Sequence, residues 1–161
     1  MRYFLLLFSV LLSLTSNLAA SNFNYASGFA AINEMASKAL INSMEKVDDR
    51  IYAVGEHGII IYSDDLGDNW TQSEVVPFTN TLTDIDCISK QKCWATGHDA
   101  TILHTSDFGK TWTKQYEDID FDAPLLSIHM FENGEGIAIG AFALSLRTID
   151  GGNSWGYLFM D

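Results

Sequence analysis

Basic residues are scarce in this chain of 161 residues. Lysine and arginine together number 9 against 21 aspartates and glutamates, which gives a formal net charge of −12 at pH 7. A surface with this charge repels phosphate backbones and anionic lipid headgroups. The composition therefore argues against nucleic acid as a partner and favours neutral or cationic partners.

Cysteine is scarce as well, with only Cys87 and Cys93 in the chain. The pair lacks the further cysteines or histidines of a zinc motif, so no metal site is predicted here. The two residues flank a short polar segment between two predicted strands. Opposed positions of a hairpin can come within disulfide range, and an oxidising compartment would preserve the bond. We predict a Cys87–Cys93 disulfide, with two buried free thiols as the alternative.

Long apolar runs are absent except at the N-terminus. Met1 and Arg2 precede an apolar stretch over 3–14, and small and polar residues follow up to Ala20. This order is typical of a secretory signal peptide. Leu18 is bulkier than the usual residue three before the cleavage site, so an uncleaved anchor is the alternative. The sequence predicts a signal peptide over 1–20 and a periplasmic or secreted protein, with a lead-in segment over 21–39 that holds a short helix over 28–39.

One eight-residue pattern occurs three times, in the form S/T-x-D-x-G-x-x-W. It occupies residues 63–70, 105–112 and 148–155. The aspartates of successive copies are 42 and 43 residues apart. A fixed period of this size is typical of repeat architectures, in which one supersecondary unit stacks on the next.

Each repeat has the features of four short strands. A strand that ends in glycine, at 51–55, 93–97 or 136–140, is followed by a short turn, a second apolar strand and the eight-residue pattern. An apolar run opens each unit, and a polar-aromatic strand closes it. The sequence therefore predicts an all-β fold, a β-propeller of four-stranded antiparallel blades. The predicted blades span about 40–76, 82–118 and 125–160.

The conserved letters of the pattern are those of the Asp-box, or BNR, repeat, and turn chemistry explains them. We expect the aspartate to accept hydrogen bonds from backbone amides two or three residues further on, while the glycine supplies a positive φ angle. The tryptophan is expected to bury its ring between neighbouring sheets, with its indole N–H bound to an acceptor. These structural roles fall to Asp65, Gly67, Trp70, Asp107, Gly109, Trp112, Asp150, Gly152 and Trp155.

A calcium site is the alternative interpretation of the first box. Asp64, Asp65 and Asp68 could supply carboxylate ligands. The second box, however, offers only Asp107 and has Lys110 at the position of Asp68. No metal and no cofactor are therefore predicted.

Three units are too few for a closed ring, because closed propellers have about four to eight blades. The sequence predicts an incomplete ring: a fragment of a longer product, a truncated reading frame, or a half-ring that pairs with a second copy. The outward faces of the first and third units are expected to be bare. Self-association through these open faces is a further expectation.

Segments around all three boxes resemble a known family. They are similar to the photosystem II assembly and stability factors, which are seven-bladed propellers. The similar segments are residues 54–60 leading into 63–70, residues 93–98 leading into 102–105, and residues 124–127 and 136–141 leading into 148–155. The resemblance is strongest to exported bacterial members and covers about 120 of the 161 residues. It implies a non-catalytic scaffold that holds a protein partner, such as a membrane-protein assembly intermediate, from the periplasmic side, or from the thylakoid lumen in a photosynthetic organism.

An Asp-box glycoside hydrolase, such as a sialidase-like enzyme fragment, is the alternative function. A sialidase needs three arginines around the substrate carboxylate, and lysine replaces them poorly. Outside the predicted signal peptide only Arg50 and Arg147 remain. The 21 acids could include the pair of catalytic carboxylates that other glycosidases use, so this mechanism stays open. We predict that the chain is not an enzyme.

The remaining candidate binding residues lie in turns between the second and third strands of the first two units. Glu56 and His57 stand in one turn, and His98 and Asp99 stand in the other. In a propeller these turns share the face opposite the Asp boxes, where a histidine–carboxylate cluster could form a binding rim. The alternative is that they are polar turn residues in water, since the third unit has Ala141 and Phe142 instead.

Overall fold

The computed structural model of the chain describes residues 28–158. The predicted signal peptide lies outside the described residues, and so do residues 159–161. Within the described part, twelve strands form three four-stranded antiparallel sheets, and there is no α-helix. The strands are β1 Ile41–Val47, β2 Arg50–Gly55, β3 Ile60–Ser63, β4 Thr71–Gln72, β5 Leu82–Ser89, β6 Lys92–Gly97, β7 Ile102–Thr105, β8 Thr113–Tyr116, β9 Leu125–Met130, β10 Gly136–Gly140, β11 Ser145–Thr148 and β12 Gly156–Tyr157.

Each sheet is a meander of consecutive strands, β1–β4, β5–β8 and β9–β12, and we call these the first, second and third blades. The opening strands β1, β5 and β9 lie side by side across the blades. This arrangement confirms the all-β prediction of three four-stranded antiparallel blades. Within residues 28–158, no helix has the length and apolar character needed to span a membrane.

Two apolar layers join the blades. The layer between the first and second blades contains Tyr52 and Val54 from β2, Leu103 from β7 and the ring of Trp112. The layer between the second and third blades contains Trp94, Ile102, Leu125, Ile128, Met130, Ala138 and Leu146. Because alternate residues of a strand point to opposite faces, the second blade supplies Ala95 to one layer and Trp94 to the other. Its strands are therefore apolar on both faces.

The two outward faces differ from each other. On the first blade, Ala53 and Ile61 are only 1% and 3% exposed, because Ala36 of the lead-in segment packs against them. The expectation of a bare first face was therefore wrong. On the third blade, Ile137 and Ile139 are 37% and 50% exposed, as expected for an open face.

The described part of the lead-in is irregular rather than helical. A single 3-10 turn covers Ala36–Lys38, so the predicted helix over 28–39 is wrong except for this turn. Gln72 of β4 holds the segment in place by accepting from the Asn33 amide at 2.9 Å and donating to the Ala31 carbonyl at 2.9 Å. Because these bonds satisfy backbone groups of an irregular chain, the segment needs no helix to pack against the first blade.

Candidate functional site

The Asp box is a turn closed by a hydroxyl and a carboxylate. In the first box, the Ser63 hydroxyl donates to Asp65 Oδ1 at 2.8 Å and accepts from the Gly67 amide at 2.8 Å. Asp65 in turn accepts from the Asn69 amide at 2.8 Å and from the Asn69 side chain at 2.7 Å. The accepted amide is therefore four residues beyond the aspartate, not two or three as the sequence suggested, because the loop curls back over the carboxylate.

The other two boxes repeat this geometry. Asp107 accepts from the Thr111 amide and hydroxyl at 2.9 and 2.6 Å, and Asp150 accepts from the Ser154 amide and hydroxyl at 2.9 and 2.6 Å. The hydrogen bonds from Asn69 and Ser154 hold the pKa values of Asp65 and Asp150 below the ordinary value. Burial raises the pKa of Asp107, but the bonds from Thr111 outweigh it and the net shift is downward. Each carboxylate is held charged by its own loop.

The carboxylates proposed as calcium ligands have other partners. Asp65 is bound by its own turn, as described above. Asp64 forms a bidentate pair with Arg50, with N–O distances of 2.7 and 2.6 Å. Among the described residues no group of three or more potential ligands is placed to hold a metal ion. The geometry of the first box therefore favours the structural interpretation over the calcium site.

Arg50 joins the first blade to the second box. Besides Asp64, its guanidinium donates to the Phe108 carbonyl at 2.5 Å and lies 4.3 Å from the centre of the Tyr62 ring. The hydrogen bonds to Asp64 raise the pKa of Arg50. The other arginine outside the predicted signal peptide, Arg147, pairs with Glu135 at 3.0 Å. Both arginines are thus engaged within the chain.

The box tryptophans differ in burial. Trp112 is 2% exposed, and its indole N–H donates to Ser73 Oγ of the first blade at 3.1 Å. Ser73 Oγ in turn donates to the Gly109 carbonyl at 2.6 Å. Trp70 and Trp155 are half-buried, and the buried indole nitrogen of Trp155 has no hydrogen-bond partner among the described residues. Of the three box tryptophans, Trp112 is thus the one whose ring is almost fully buried.

Two box glycines make room for neighbouring side chains. A Cβ on Gly109 would lie 2.4 Å from the Tyr52 ring, and a Cβ on Gly152 would lie 2.0 Å from Gln115 Oε1. Both glycines also have positive φ angles, 74° and 84°. The glycine in the box therefore serves the contact between blades as well as the turn.

The predicted rim residues lie in the turns that connect the second and third strands. Glu56 and His57 belong to the 3-10 turn Glu56–Gly58, and His98 and Asp99 lie between β6 and β7. Glu56 accepts from the Leu40 amide at 3.0 Å, and Asp99 accepts from the Asn80 side chain at 3.4 Å. His57 and Asp99 both have φ of 57°. Local bonds thus involve Glu56 and Asp99, and the role of the four residues as a binding rim stays a prediction.

Cys87 and Cys93 face each other in the β5–β6 ladder and are joined by a disulfide, with a Cα–Cα distance of 4.1 Å. The hairpin that they bracket contacts the first blade. Tyr52 donates its hydroxyl to the Lys90 carbonyl at 2.6 Å, and the Lys90 ammonium pairs with Asp49. The disulfide therefore stabilises a hairpin that contributes to the contact between blades.

A groove of about 570 Å³ lies between the second and third blades. The second blade supplies residues on β5, β6, β7 and β8, and the third supplies the third Asp box and the β9–β10 turn. The lining residues are Ile88, Lys92, Trp94, His104, Thr113, Lys114, Gln115, Glu132, Gly134, Asp150, Gly151, Gly152 and Asn153. The groove thus brings Asp150 and Gly152 of the third box together with residues that the sequence analysis did not select.

Among the described residues, the wall of this groove on the second blade carries one unpaired positive charge, that of Lys92. Lys92 is exposed, Lys114 pairs with Glu117, and the half-buried His104 ring lies 4.8 Å from the ring of Trp94, centroid to centroid. Burial, and then the charge of Lys92, lowers the pKa of His104, so the imidazole is neutral at pH 7. The opposite wall carries Glu132 and Asp150, and the oxygens of Asp150 are bound within the box.

The opening strands form a second polar region. Asp84 and Asp86 of β5 accept from the backbone amides of Ile128 and Met130 on β9, at 3.0 and 2.6 Å. Burial, followed by the charges of Asp86 and Asp84, raises the pKa of Glu45 on β1. These carboxylates tie neighbouring blades together through backbone amides. Asp84 and Asp86 alternate along β5, and this pattern does not by itself indicate a contact with the next blade.

Solved structures show the same architecture. A structure described as YCF48 bound to a D1 peptide superposes with a TM-score of 0.65 at 24% identity, covering 74% of this chain and 40% of that one. YCF48 from Cyanidioschyzon merolae gives a TM-score of 0.62 at 16% identity, covering 74% and 37%. An ancestral GH74 enzyme gives 0.58 at 14% identity, covering 74% and 20%. At these identities the likeness concerns the fold.

The chain spans about two fifths of the length of the YCF48 structures that it matches. A search of the curated proteins gave no match. The family described as Photosynthesis system II assembly factor YCF48 matches residues 72–161, which is more than half of the sequence. On this match, and on the three Asp-box blades, the chain belongs to that family of BNR-repeat propellers.

Proposed function

We propose that the chain acts as part of a non-catalytic propeller scaffold that binds a protein partner, and that this partner is a membrane-protein assembly intermediate. The observation that carries the proposal is membership of the YCF48 family, one of whose solved structures is described as bound to a D1 peptide. The predicted signal peptide supports a location outside the cytoplasm, in the periplasm or, in a photosynthetic organism, the thylakoid lumen.

The chemistry of the boxes also favours a scaffold over an enzyme. The box carboxylates are bound by their own loops, and Arg50 and Arg147 are paired with acids. These groups stabilise turns and contacts between blades. They are therefore not available as general acids, bases or substrate clamps.

Affinity capture from detergent-solubilised membranes of the native host tests the proposal. We expect the tagged chain to enrich one integral-membrane subunit or its immature form, as identified by mass spectrometry. The same tag on an unrelated periplasmic protein serves as the control. Failure to enrich any membrane subunit, together with release of reducing sugar from polysaccharides by the purified chain, would overturn the proposal in favour of a glycoside hydrolase.

We also propose that the open face of the third blade associates with a second copy of the chain. Ile137 and Ile139 occupy the same repeat positions as Trp94 and Thr96, one period of 43 residues earlier. Trp94 and Thr96 are 3% and 0% exposed in the contact between blades, whereas the two isoleucines are 37% and 50% exposed. Burial of this face against a partner would restore the contact that the repeat makes elsewhere.

A further inference from the structure

We infer that the groove between the second and third blades is where the scaffold receives its partner, and that it binds a carboxylate group of an extended peptide segment against Lys92. The inference rests on the proposed protein-binding function and names the site and the chemistry of the bound segment. Four properties of the groove support it.

The groove has fixed walls. The Trp94 indole N–H donates to Gln115 Oε1 at 2.9 Å, and Gln115 Nε2 donates to the Gly151 carbonyl at 3.4 Å. The Gly151 amide donates to the Gly134 carbonyl at 2.8 Å. This chain of bonds crosses from the second blade to the third box and on to the β9–β10 turn. The site is therefore organised before a ligand arrives, which lowers the entropic cost of binding.

Lys92 provides an available positive charge. Most of the other cations in the described part of the chain are engaged: Arg50, Lys90, Lys114 and Arg147 form ion pairs, and Lys46 donates to a backbone carbonyl. Lys92 forms no ion pair with any described residue, and its exposed side chain lines the groove. A carboxylate that reached the ammonium would form a charge-assisted hydrogen bond without displacing an internal partner.

The charges that line the groove direct an anionic group to Lys92. At a net charge of −12, most of the surface repels carboxylates, and Lys114 on the same wall is already paired with Glu117, so Lys92 is the unpaired cation of the groove within residues 28–158. Glu132 on the opposite wall repels a carboxylate from that side. The bound group is thus directed towards the second blade, and electrostatic complementarity fixes its orientation.

The groove also offers surface for neighbouring parts of a peptide. Ile88 is half-buried at its edge, and the His104 ring is half-buried against Trp94. The neutral imidazole can donate or accept one hydrogen bond with a peptide group. A peptide segment with a carboxylate beside an apolar residue could contact both Lys92 and the apolar surface of the groove. A free anion would interact with Lys92 alone.

Fluorescence anisotropy with labelled peptides tests the inference. The probe is an eight-residue peptide of alternating leucine and aspartate with a free C-terminus. One companion peptide is amidated at its C-terminus, and another is amidated and carries asparagine in place of aspartate. We expect the two aspartate peptides to bind, and the asparagine peptide to bind at least tenfold more weakly, as for a lost charge-assisted bond. Binding of the first peptide alone would assign the site to a terminal carboxylate, which also supports the inference.

Variants locate the site. Lys92→Gln is expected to weaken binding of the aspartate peptide by about tenfold, whereas Lys38→Gln, which removes the same charge from an exposed position on the lead-in, should leave it within twofold. The His104 ring proton signals should shift on titration of the unmodified chain. Equal weakening by both variants, equal binding of the asparagine peptide, or full displacement by inorganic phosphate at constant ionic strength would overturn the inference.

The membrane capture separates this inference from the proposed function. If the Lys92→Gln chain captures the membrane subunit as well as the unmodified chain does, the groove assignment is wrong and the scaffold function stands. If the unmodified chain captures none, the scaffold function itself fails.

Discussion

At the scale of single residues, the Asp-box carboxylate is the group on which each turn depends. Asp107 accepts two hydrogen bonds from Thr111 and one from the Thr105 hydroxyl. A polar group that loses its partner inside a folded protein retains its desolvation cost. The serine or threonine at the head of the pattern matters equally, because its hydroxyl links the carboxylate to the glycine amide.

We predict that Asp107→Ala lowers the free energy of unfolding by about 1–3 kcal/mol, because the Thr111 amide and hydroxyl and the Thr105 hydroxyl lose their acceptor. Urea denaturation followed by tryptophan fluorescence measures the change. Asp120→Ala, at an exposed position outside the boxes, is the matched control and should change stability by less than about 0.5 kcal/mol. Equal effects of the two substitutions would contradict the role assigned to Asp107.

Acid should destabilise the fold through the same carboxylates. The folded-state pKa values of Asp65, Asp107 and Asp150 lie below the ordinary value. Their contribution is therefore complete above the unfolded pKa of about 3.9 and is lost as the pH falls through the folded values. The folded-state pKa of Glu45 is raised instead. The contribution of Glu45 to stability therefore decreases as the pH rises from the ordinary pKa of a glutamate through the folded value.

We accordingly predict that the urea midpoint decreases between pH 4 and pH 2.5, and that Asp150→Asn makes this decrease shallower. Denaturation curves at half-unit pH intervals measure both effects. Asp120→Asn is the control and should keep the full slope. A midpoint that stays level or rises over this range would show that the box carboxylates do not control acid stability.

At the scale of strands and turns, the repeat pattern predicted the elements within each blade, but it did not predict the contacts between blades. The order of strands, the glycine turns and the box positions follow from local patterns with a period of 42 or 43 residues. The Arg50–Phe108, Ser73–Trp112 and Gln115–Gly151 bonds join residues 58, 39 and 36 positions apart. Such pairs depend on how the blades stack, and a single sequence carries little signal for them.

Local patterns also explain the errors. The composition of residues 28–39 favours a helix, but the segment packs against the first blade as an irregular chain because Gln72 bonds its backbone. The groove around Lys92 was missed for a different reason. Its residues belong to four strands and two turns of two blades, and outside the third Asp box none of them forms a motif by itself.

The β5–β6 hairpin yields a prediction at this scale. Reduction of Cys87–Cys93 should lower the free energy of unfolding by about 2 kcal/mol, the loop-entropy value for so short a loop. Denaturation with and without reductant measures it, and a Cys87→Ser/Cys93→Ser variant, which has no bond to reduce, controls for the reagent. Detection of two free thiols in the denatured, unreduced protein from the native compartment would contradict the disulfide.

At the scale of the whole molecule, net charge and apolar surface have opposite effects on association with a second copy. The net charge of −12 repels a second copy, while the third blade exposes Ile137 and Ile139 on one face. Charge repulsion is screened by salt, whereas apolar burial is not. Association through the open face should therefore strengthen as salt is added, the opposite of association through ion pairs.

We predict that sedimentation velocity at 0.5 M salt detects a concentration-dependent dimer. Ile139→Lys should raise the dissociation constant of this dimer at least tenfold, because the isoleucine no longer buries apolar surface and a charge enters the contact. Ile149→Lys is the matched control: Ile149 is 68% exposed but belongs to the third Asp box rather than to the open face. It should leave the dissociation constant within twofold. A monomer at every concentration, or equal loss of the dimer in both variants, would show that the open face of the third blade does not bind a second copy.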